Sequence, residues 1–324
     1  MGKNKGLVKR DDRALATTGT TELEVTDAQV IDAWLAWLRD SDRLAETTIT
    51  AYRKGLDVFG SWLRETGNVG NVTPRIIIGF RAALEGQGYS AQTVNLRLGA
   101  VRSFYRYMVN TERLPVNPAS EVKGIKRAKA GEHKRDALVN GEVVAVLGTC
   151  EGSPVGVRDR ALLTMFSYCG LRTIEAQRAD LADLRTKDGR MVLEVHGKGG
   201  SDRLAVIPRE QEDTIRAWLV LRGQQPGPLF SSVGRQNPGA RLALRTLRAI
   251  VKRRYRLAGV LGDRKTTHSL RHSAITNAIK NGATPLQVQS MAGHASYDTT
   301  LGYFHEVART AAPAEDLVRY TEAS

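Results

Sequence analysis

Apolar residues recur every three or four positions along the first third of the chain, which is the spacing of amphipathic helices. Thr26 with Gln29 forms a capping box for the first helix. Thr73 followed by Pro74 is a start signal for the third. The pattern predicts a domain of four helices over residues 23–114. Three of its apolar stripes are Val30, Ile31, Trp34, Leu35 and Leu38; Ile49, Tyr52, Leu56, Phe59 and Leu63; and Val94, Leu98, Val101, Tyr105 and Met108.

The pattern is mixed in the second half of the chain. Residues 158–169 have helical spacing, and the segments MVLEV and RLAVIP on either side of HGKGGSD predict a β-hairpin. Further helical stretches follow. Residues 136–324 are therefore expected to form a mixed α/β domain, and the chain as a whole to be mainly α with a small β-sheet, an α+β fold.

Two segments lack these patterns and are expected to lie outside the domains. Residues 1–22 are polar and basic, which predicts a flexible arm. Residues 115–135 contain two prolines followed by clustered Lys and Arg, which predicts an interdomain linker. A helical domain and a mixed domain joined by a basic linker would suit a clamp that closes around a DNA duplex.

The composition favours a polyanionic partner. The chain has 48 Lys and Arg against 34 Asp and Glu, a formal charge of +14, and binding to nucleic acid would release condensed counterions. Two cysteines without CxxC spacing indicate neither a disulfide framework nor a zinc knuckle. Because no signal peptide or membrane span is evident, we expect a cytoplasmic, nucleoid-associated protein without a membrane partner.

Basic side chains off the apolar stripe of the fourth helix and in the linker are candidates for phosphate contacts, although exposed arginines are more often simply solvated. The candidate DNA-binding residues are Arg97, Arg102 and Arg106 on the helix, and Lys123, Lys126 and Arg127 in the linker.

Three clusters in the second half carry candidate chemistry, and the first is centred on Arg172. This arginine follows a helix that ends at Gly170 and precedes another that Thr173 can cap. Its guanidinium is therefore expected near a helix amino terminus, which favours anions. An ion pair with Glu175 is the alternative interpretation.

The second cluster is THSLRHS, where His268 and Arg271 share one face at the start of a helix. Two donors and the helix dipole would suit a phosphate. Since His272 lies four residues after His268, a zinc pair is the alternative. Arg271 would place a fixed positive charge beside that metal, so a phosphate accounts for the arginine better.

The third cluster joins His294, which follows a helix end at Gly293, to Tyr303 nine residues later. A tyrosine on a short amphipathic helix usually indicates half-buried packing. The spacing alone does not select Tyr303 as a reactive group.

The clusters together resemble the tyrosine recombinase, or phage integrase, family in its simple Xer-like form. The resemblance rests on GLR with an acid three residues later, a lysine in a hairpin turn, HSLRHS, GH, and a tyrosine nine positions after that histidine. It extends over nearly the whole chain. It implies the catalytic set Arg172, Lys198, His268, Arg271, His294 and Tyr303, with Glu175 in a supporting role.

In this family the tyrosine attacks a DNA phosphodiester and forms a 3′-phosphotyrosine. By resemblance, Arg172, Arg271 and His294 would stabilise the transition state. A phenol has an ordinary pKa of about 10, so Tyr303 needs a base, for which His268 is the candidate, while Lys198 would protonate the leaving 5′-oxygen. No ATP is expected, because the phosphotyrosine conserves the bond energy, and no metal or other cofactor is expected, because two arginines and a lysine could replace a catalytic metal.

The implied function is site-specific DNA recombination through a Holliday junction. The implied partners are double-stranded DNA with a specific recombination site, further copies in a homotetramer on synapsed DNA, and accessory DNA-bending proteins. The gene is expected to be bacterial, phage or carried by a mobile element. The alternatives are a catalytically silent architectural DNA-binding protein and a type IB topoisomerase-like or telomere-resolving enzyme.

Overall fold

The computed structural model describes residues 27–126, 136–197, 202–234 and 237–311. They fall into two compact units, divided between Ala128 and Lys129. The predicted arm and the tail after residue 311 lie outside the described residues, as do Arg127 and Lys198. No described helix is long and apolar enough to cross a membrane.

The amino-terminal unit is built from four helices, as the sequence predicts. Asp27 caps the first by accepting hydrogen bonds from the amides of Gln29 and Val30, one residue after the predicted Thr26 cap. Thr73 caps the third, which begins with Pro74. The helices are α1 (Ala28–Asp40), α2 (Glu46–Glu65), α3 (Pro74–Gly86) and α4 (Ala91–Asn110).

Aromatic side chains fill the core of this unit. Trp34 meets Phe104 edge-on with ring centroids 5.6 Å apart, and Phe59 lies 4.9 Å from Phe80. All four are fully buried, and since Trp34 and Phe59 belong to the predicted apolar stripes, those stripes face inward. Gly55 allows α2 to approach α4 closely, since a Cβ there would lie 3.0 Å from the Cβ of Ala100.

The first half of the predicted linker packs onto this unit instead of connecting freely. Ala119 and Val122 are buried in its core. Asn95 on α4 exchanges two hydrogen bonds with the backbone of Ile125, at 2.8 and 2.9 Å. The two prolines at 115 and 118 therefore mark a turn at the end of α4 rather than the start of the linker, because buried apolar residues follow them.

The carboxy-terminal unit surrounds a three-stranded antiparallel sheet with helices, which confirms the predicted α+β class. Phe166, Trp218, Leu247 and Ile207 are fully buried in its main core. Its elements are α5 (Asn140–Gly148), α6 (Pro154–Ser167), α7 (Thr173–Arg178), β1 (Leu184–Lys187), β2 (Arg190–Val195), β3 (Arg203–Val206), α8 (Arg209–Arg222), α9 (Leu244–Leu257), α10 (Thr267–Lys280), α11 (Pro285–Ala292) and α12 (Tyr297–Ala311).

The predicted hairpin is present as β2 and β3, with Leu193 opposite Ala205. The first strand, β1, was not predicted because its sequence LRTK is mostly polar and its residues are largely exposed. The predicted helix at 158–169 begins earlier, at Pro154, with Ser153 as its cap. Strand β3 forms one edge of the sheet and carries Arg203 at its first position.

Candidate active site

Arg172 is the residue that caps α7, a position that the sequence interpretation gave to Thr173. Its backbone amide donates to Glu175 Oε2 at 2.8 Å and its Nη1 donates to Glu175 Oε1 at 2.7 Å. The predicted ion pair is therefore present, but it uses only part of the guanidinium. Nη2 donates to the carbonyl of Gly293 at 2.9 Å, and the side chain remains 34 % exposed.

Arg271, on α10, is a close electrostatic neighbour of Arg172 and is almost fully buried. Its Nη1 donates to the carbonyl of Gly170, and its Nη2 donates to the carbonyl of Ala292 at 2.5 Å. Burial, together with the neighbouring Arg172 guanidinium, lowers the pKa of Arg271 to about 10. Arg271 therefore stays charged at neutral pH, and a further nearby anion would stabilise its charged form.

The corner after α11 brings the two arginines together. Gly293 adopts the left-handed conformation with φ of 60°, so α11 ends there and its last carbonyls turn toward the arginines. Ala292 accepts from Arg271, and Gly293 accepts from Arg172. The glycine of the GH motif thereby fixes the separation of two cationic side chains that are distant in the sequence.

Tyr303 lies on α12 between two histidine rings. The His294 ring is nearly parallel to it, with centroids 5.7 Å apart, and the His272 ring lies 5.0 Å away at a tilt of 52°. His294 Nδ1 is 3.0 Å from the hydroxyl of Thr300, which orients the ring. The Tyr303 phenol is also close enough to Arg271 to raise the pKa of that guanidinium slightly, although burial and Arg172 lower it more.

His272 was considered in the sequence only as a zinc partner of His268. In the structure its ring is buried against Tyr303, whereas His268 is exposed. Among the described residues, no group of three or more His, Cys, Asp and Glu side chains is placed to hold a metal ion. The helical spacing of the histidines placed both on α10 but could not show which neighbour each would meet.

His268 lines a groove of about 390 Å³ beside Arg172. Its other wall is α9, which contributes Arg248 and Lys252 at helical spacing. Neither residue was singled out from the sequence, although the run RRYR on the same helix is a visible basic signal. The groove therefore presents positive charge from two elements next to the arginine pair.

Lys198 itself is outside the described residues, but the two ends of its turn are described. His196 Nδ1 lies 3.2 Å from Asp202 and its Nε2 lies 3.4 Å from Asp183. Asp202 also accepts a hydrogen bond from the Gly197 amide at 3.1 Å. These contacts hold together the base of the hairpin turn, and because the Asp202 and Asp183 carboxylates accept hydrogen bonds from the ring, they raise the pKa of His196.

Arg203 is a further member of the site that the sequence interpretation missed. It is buried at the start of β3 and donates to Glu175 Oε2 at 2.8 Å. Burial would raise the pKa of the Glu175 carboxyl, but the charge of Arg203 and the hydrogen bonds from Arg172 outweigh burial and lower it. The only sequence signal is an arginine in an otherwise apolar strand.

Three of the candidate DNA-contacting residues of the amino-terminal unit, the arginines on α4, already have partners within the fold. The Arg97 guanidinium stacks on Tyr89 at 3.9 Å, and Arg106 pairs with Asp42. Arg102 Nη2 donates to the carbonyl of Val122 at 2.9 Å. Lys123 and Lys126 have exposed side chains. DNA contact by these five residues stays a prediction, and of them Arg102 has the clearest structural role.

Two family models match the chain. The phage integrase family model covers residues 137–309, and the phage integrase N-terminal SAM-like domain covers residues 31–112. The first alone spans more than half of the sequence. The chain belongs to the phage integrase family of tyrosine recombinases.

Relatives of this recombinase match along most of their length. Tyrosine recombinase XerC of Actinobacillus succinogenes is 31 % identical over 279 residues, which cover 83 % of this chain and 90 % of the relative. Tyrosine recombinase XerD of Pseudomonas putida is 29 % identical over 292 residues, covering 86 % and 93 %. The recombinase described here is thus similar to Xer proteins across both of its units.

Solved structures have the same fold. A XerH site-specific recombinase in a post-cleavage complex with a palindromic difH substrate matches with a TM-score of 0.69 and 21 % identity, covering 91 % of each chain. A lambda integrase tetramer bound to a Holliday junction matches with a TM-score of 0.67 and 17 % identity, covering 88 % of this chain and 78 % of the other. The recombinase fold predicted from sequence is confirmed.

Proposed function

We propose that this recombinase cleaves and rejoins DNA at a specific site by nucleophilic attack of Tyr303 on a phosphodiester. The Tyr303 oxygen bonds to phosphorus, the bond from phosphorus to the 5′-oxygen breaks, and a 3′-phosphotyrosine forms. His268 accepts the phenol proton, and Lys198 donates a proton to the leaving 5′-oxygen. The reverse attack by a 5′-hydroxyl of another strand reseals the DNA and regenerates Tyr303.

One observation carries this proposal. Arg172 and Arg203 both donate to the carboxylate of Glu175, the buried Arg271 guanidinium is close enough to interact electrostatically with Arg172, Arg203 and Glu175, and Tyr303 stacks on His294 next to the Gly293 carbonyl that holds Arg172. The formal charges of the three arginines and Glu175 leave an excess of two positive charges in a largely buried place. An anion relieves that excess, and a phosphate approaching its pentavalent transition state, where negative charge increases, relieves it most.

The groove between α7, α9 and the start of α10 supports binding of the duplex at this site. Arg248 and Lys252 line it together with Arg172 and His268. Their charges suit the DNA backbone on either side of the reacting phosphate. Because the XerC and XerD relatives are bacterial proteins, we further propose that the reaction takes place in the bacterial cytoplasm, on the nucleoid or a mobile element.

We also propose that four copies exchange strands in pairs through a Holliday junction. The lambda integrase tetramer on a Holliday junction shares the fold of this chain and supports such an assembly. Crosslinking on a synapsed target site is expected to capture four protomers, whereas a dimer as the largest species would contradict this part of the proposal.

Covalent capture tests the chemistry. Duplexes recovered from a random pool by binding to the protein are nicked on one strand, so that cleavage releases a short fragment and traps the covalent product. Wild-type protein is expected to form an adduct that survives denaturation, and Tyr303→Phe to form none while binding the same duplexes. Tyr297→Phe, on the same helix, is the matched control. Plasmid relaxation without strand exchange would favour the topoisomerase instead, and absence of any adduct on a bound site would exclude the mechanism.

A further inference from the structure

Arg203 is held more tightly than a surface arginine of a β-strand would be. Its side chain is 10 % exposed, and its Nη2 donates to Glu175 Oε2 at 2.8 Å. The same carboxylate oxygen accepts from the backbone amide of Arg172, and the other oxygen accepts from Arg172 Nη1. Glu175 therefore bridges Arg203 to both the backbone and the guanidinium of Arg172.

The corner after α11 is shaped around Arg203. A Cβ at Gly293 would lie 2.6 Å from Arg203 Nε and 2.7 Å from its Cδ, contacts that no real side chain tolerates. These atoms belong to the middle of a buried side chain, which has little room to move. Gly293 is therefore required by Arg203 as well as by the left-handed turn, and its carbonyl holds Arg172 from the other side.

The charge of Arg203 changes what Arg172 can offer to a phosphate. Arg172 and Glu175 alone would form a neutral pair, in which the carboxylate offsets part of the attraction of the guanidinium for an approaching phosphate. Arg203 adds a second cation on the same carboxylate, at a place that is shielded from solvent screening. Arg172, Glu175 and Arg203 together then carry one net positive charge, and Arg172 faces the groove as an effective cation.

We propose that Arg203 is a positioning residue of the cleavage reaction: it clamps Glu175, orients Arg172, and offsets the Glu175 charge. This inference rests on the proposed function of the site. It assigns no direct contact with DNA to Arg203. Gly293 is the position whose missing side chain makes the clamp fit.

The test measures the rate of adduct formation in a single turnover on the nicked duplex, with DNA affinity and thermal melting measured separately. Arg203→Met is expected to slow cleavage by about 100-fold, since misplacing a transition-state donor has a cost of this order, while DNA affinity changes little. Arg203→Lys keeps the charge but loses the planar guanidinium with its several donors. Its cleavage rate is therefore expected to lie between those of Arg203→Met and wild type. Arg185→Met is the matched control, because Arg185 also pairs with a glutamate on this sheet, Glu194 at 3.0 Å.

A double variant distinguishes an electrostatic role of Arg203 from a purely structural one. Arg203→Met with Glu175→Gln restores the net charge of the site, so we expect it to cleave at least about threefold faster than Arg203→Met alone. A purely structural role predicts a double variant that is equally slow or slower, which would overturn the proposal. Cleavage by Arg203→Met at the wild-type rate would overturn it as well.

Two further outcomes keep the test decisive. If Arg203→Met does not fold, Arg203→Lys decides: a wild-type cleavage rate would contradict the clamp, and a slower rate with unchanged melting would support it. If wild type forms no Tyr303-dependent adduct, the proposed function fails. If that adduct forms and only the Arg203 variants behave as wild type, the inference alone fails.

Discussion

Among the described residues of the carboxy-terminal unit, Asp159 and Glu175 are buried carboxylates that each pair with more than one arginine, and Glu175 is the one at the candidate active site. Asp159 on α6 is fully buried and accepts from Arg158 and from Arg254 on α9, both at 2.7 Å, and from the more exposed Arg253. Glu175 is 8 % exposed and accepts from Arg172 and Arg203. The two clusters have nearly the same composition.

Access and neighbours separate the two clusters. Arg158 and Arg254 are 8 % and 7 % exposed, and Arg254 donates its remaining nitrogen to the carbonyl of Thr149. Arg172 is 34 % exposed and lines a groove with His268. A buried arginine cluster therefore indicates structure when its donors are used internally, and function when one guanidinium faces a groove beside a nucleophile.

The largest effect is expected from the Asp159 cluster, and it concerns stability. Asp159→Asn leaves Arg158 and Arg254 buried without a counter-charge, so the free energy of unfolding should fall by about 3 to 5 kcal/mol. Denaturant unfolding measures this, and adduct formation per folded molecule should be unchanged. Asp57→Asn, which removes an exposed ion pair with Arg53, is the control and should change stability little. Equal loss in both variants would remove the distinction between buried and exposed pairs.

Arg172 should show the opposite behaviour. Arg172→Ala removes donors aimed at the transition state, so the single-turnover cleavage rate should fall by about 100- to 1000-fold. Thermal melting should change little, because the side chain is one third exposed. A loss of melting temperature that accounts for the lower rate would place Arg172 with the structural cluster.

A smaller effect is expected at His272, which supports the ring of Tyr303. His272→Ala removes a buried contact and should slow cleavage by about tenfold, because the nucleophile is less firmly placed, with DNA affinity unchanged. His305→Ala, an exposed histidine on α12, is the control. If both variants cleave at the same rate, the contact between the rings has no role in placing Tyr303.

The smallest effect concerns His196 and its pH dependence. Because Asp202 and Asp183 raise its pKa above the ordinary value of about 6.5, its charged contacts are fully present below that pH and are lost as the pH rises through the higher folded value. His196→Asn should change the cleavage rate by about twofold at pH 6 and less at pH 8, since exposed pairs are weak. A pH profile of cleavage measures this, and identical profiles would show that the turn does not depend on His196.

Much of the fold follows from periodicity. The four amino-terminal helices and the β2–β3 hairpin are where the pattern places them, because their apolar stripes face buried cores. The polar strand β1 and the packing of residues 115–126 were not predictable in this way. The first has no apolar alternation, and the second is held by hydrogen bonds from Arg102 and Asn95 to its carbonyls, in addition to two buried apolar residues, a combination without a periodic signal.

The sequence by itself determined the family and a candidate catalytic set, because residue types and spacings along the chain carry that information directly. Only the tertiary structure decided that Arg203 shares the carboxylate of Glu175, 28 positions earlier in the chain, and that Arg172 meets the carbonyl of Gly293, 121 positions away. It also decided that His272 packs on Tyr303 and that Arg203 lies behind Arg172. Such contacts arise from the packing of α10, α11 and β3, and no local pattern encodes them.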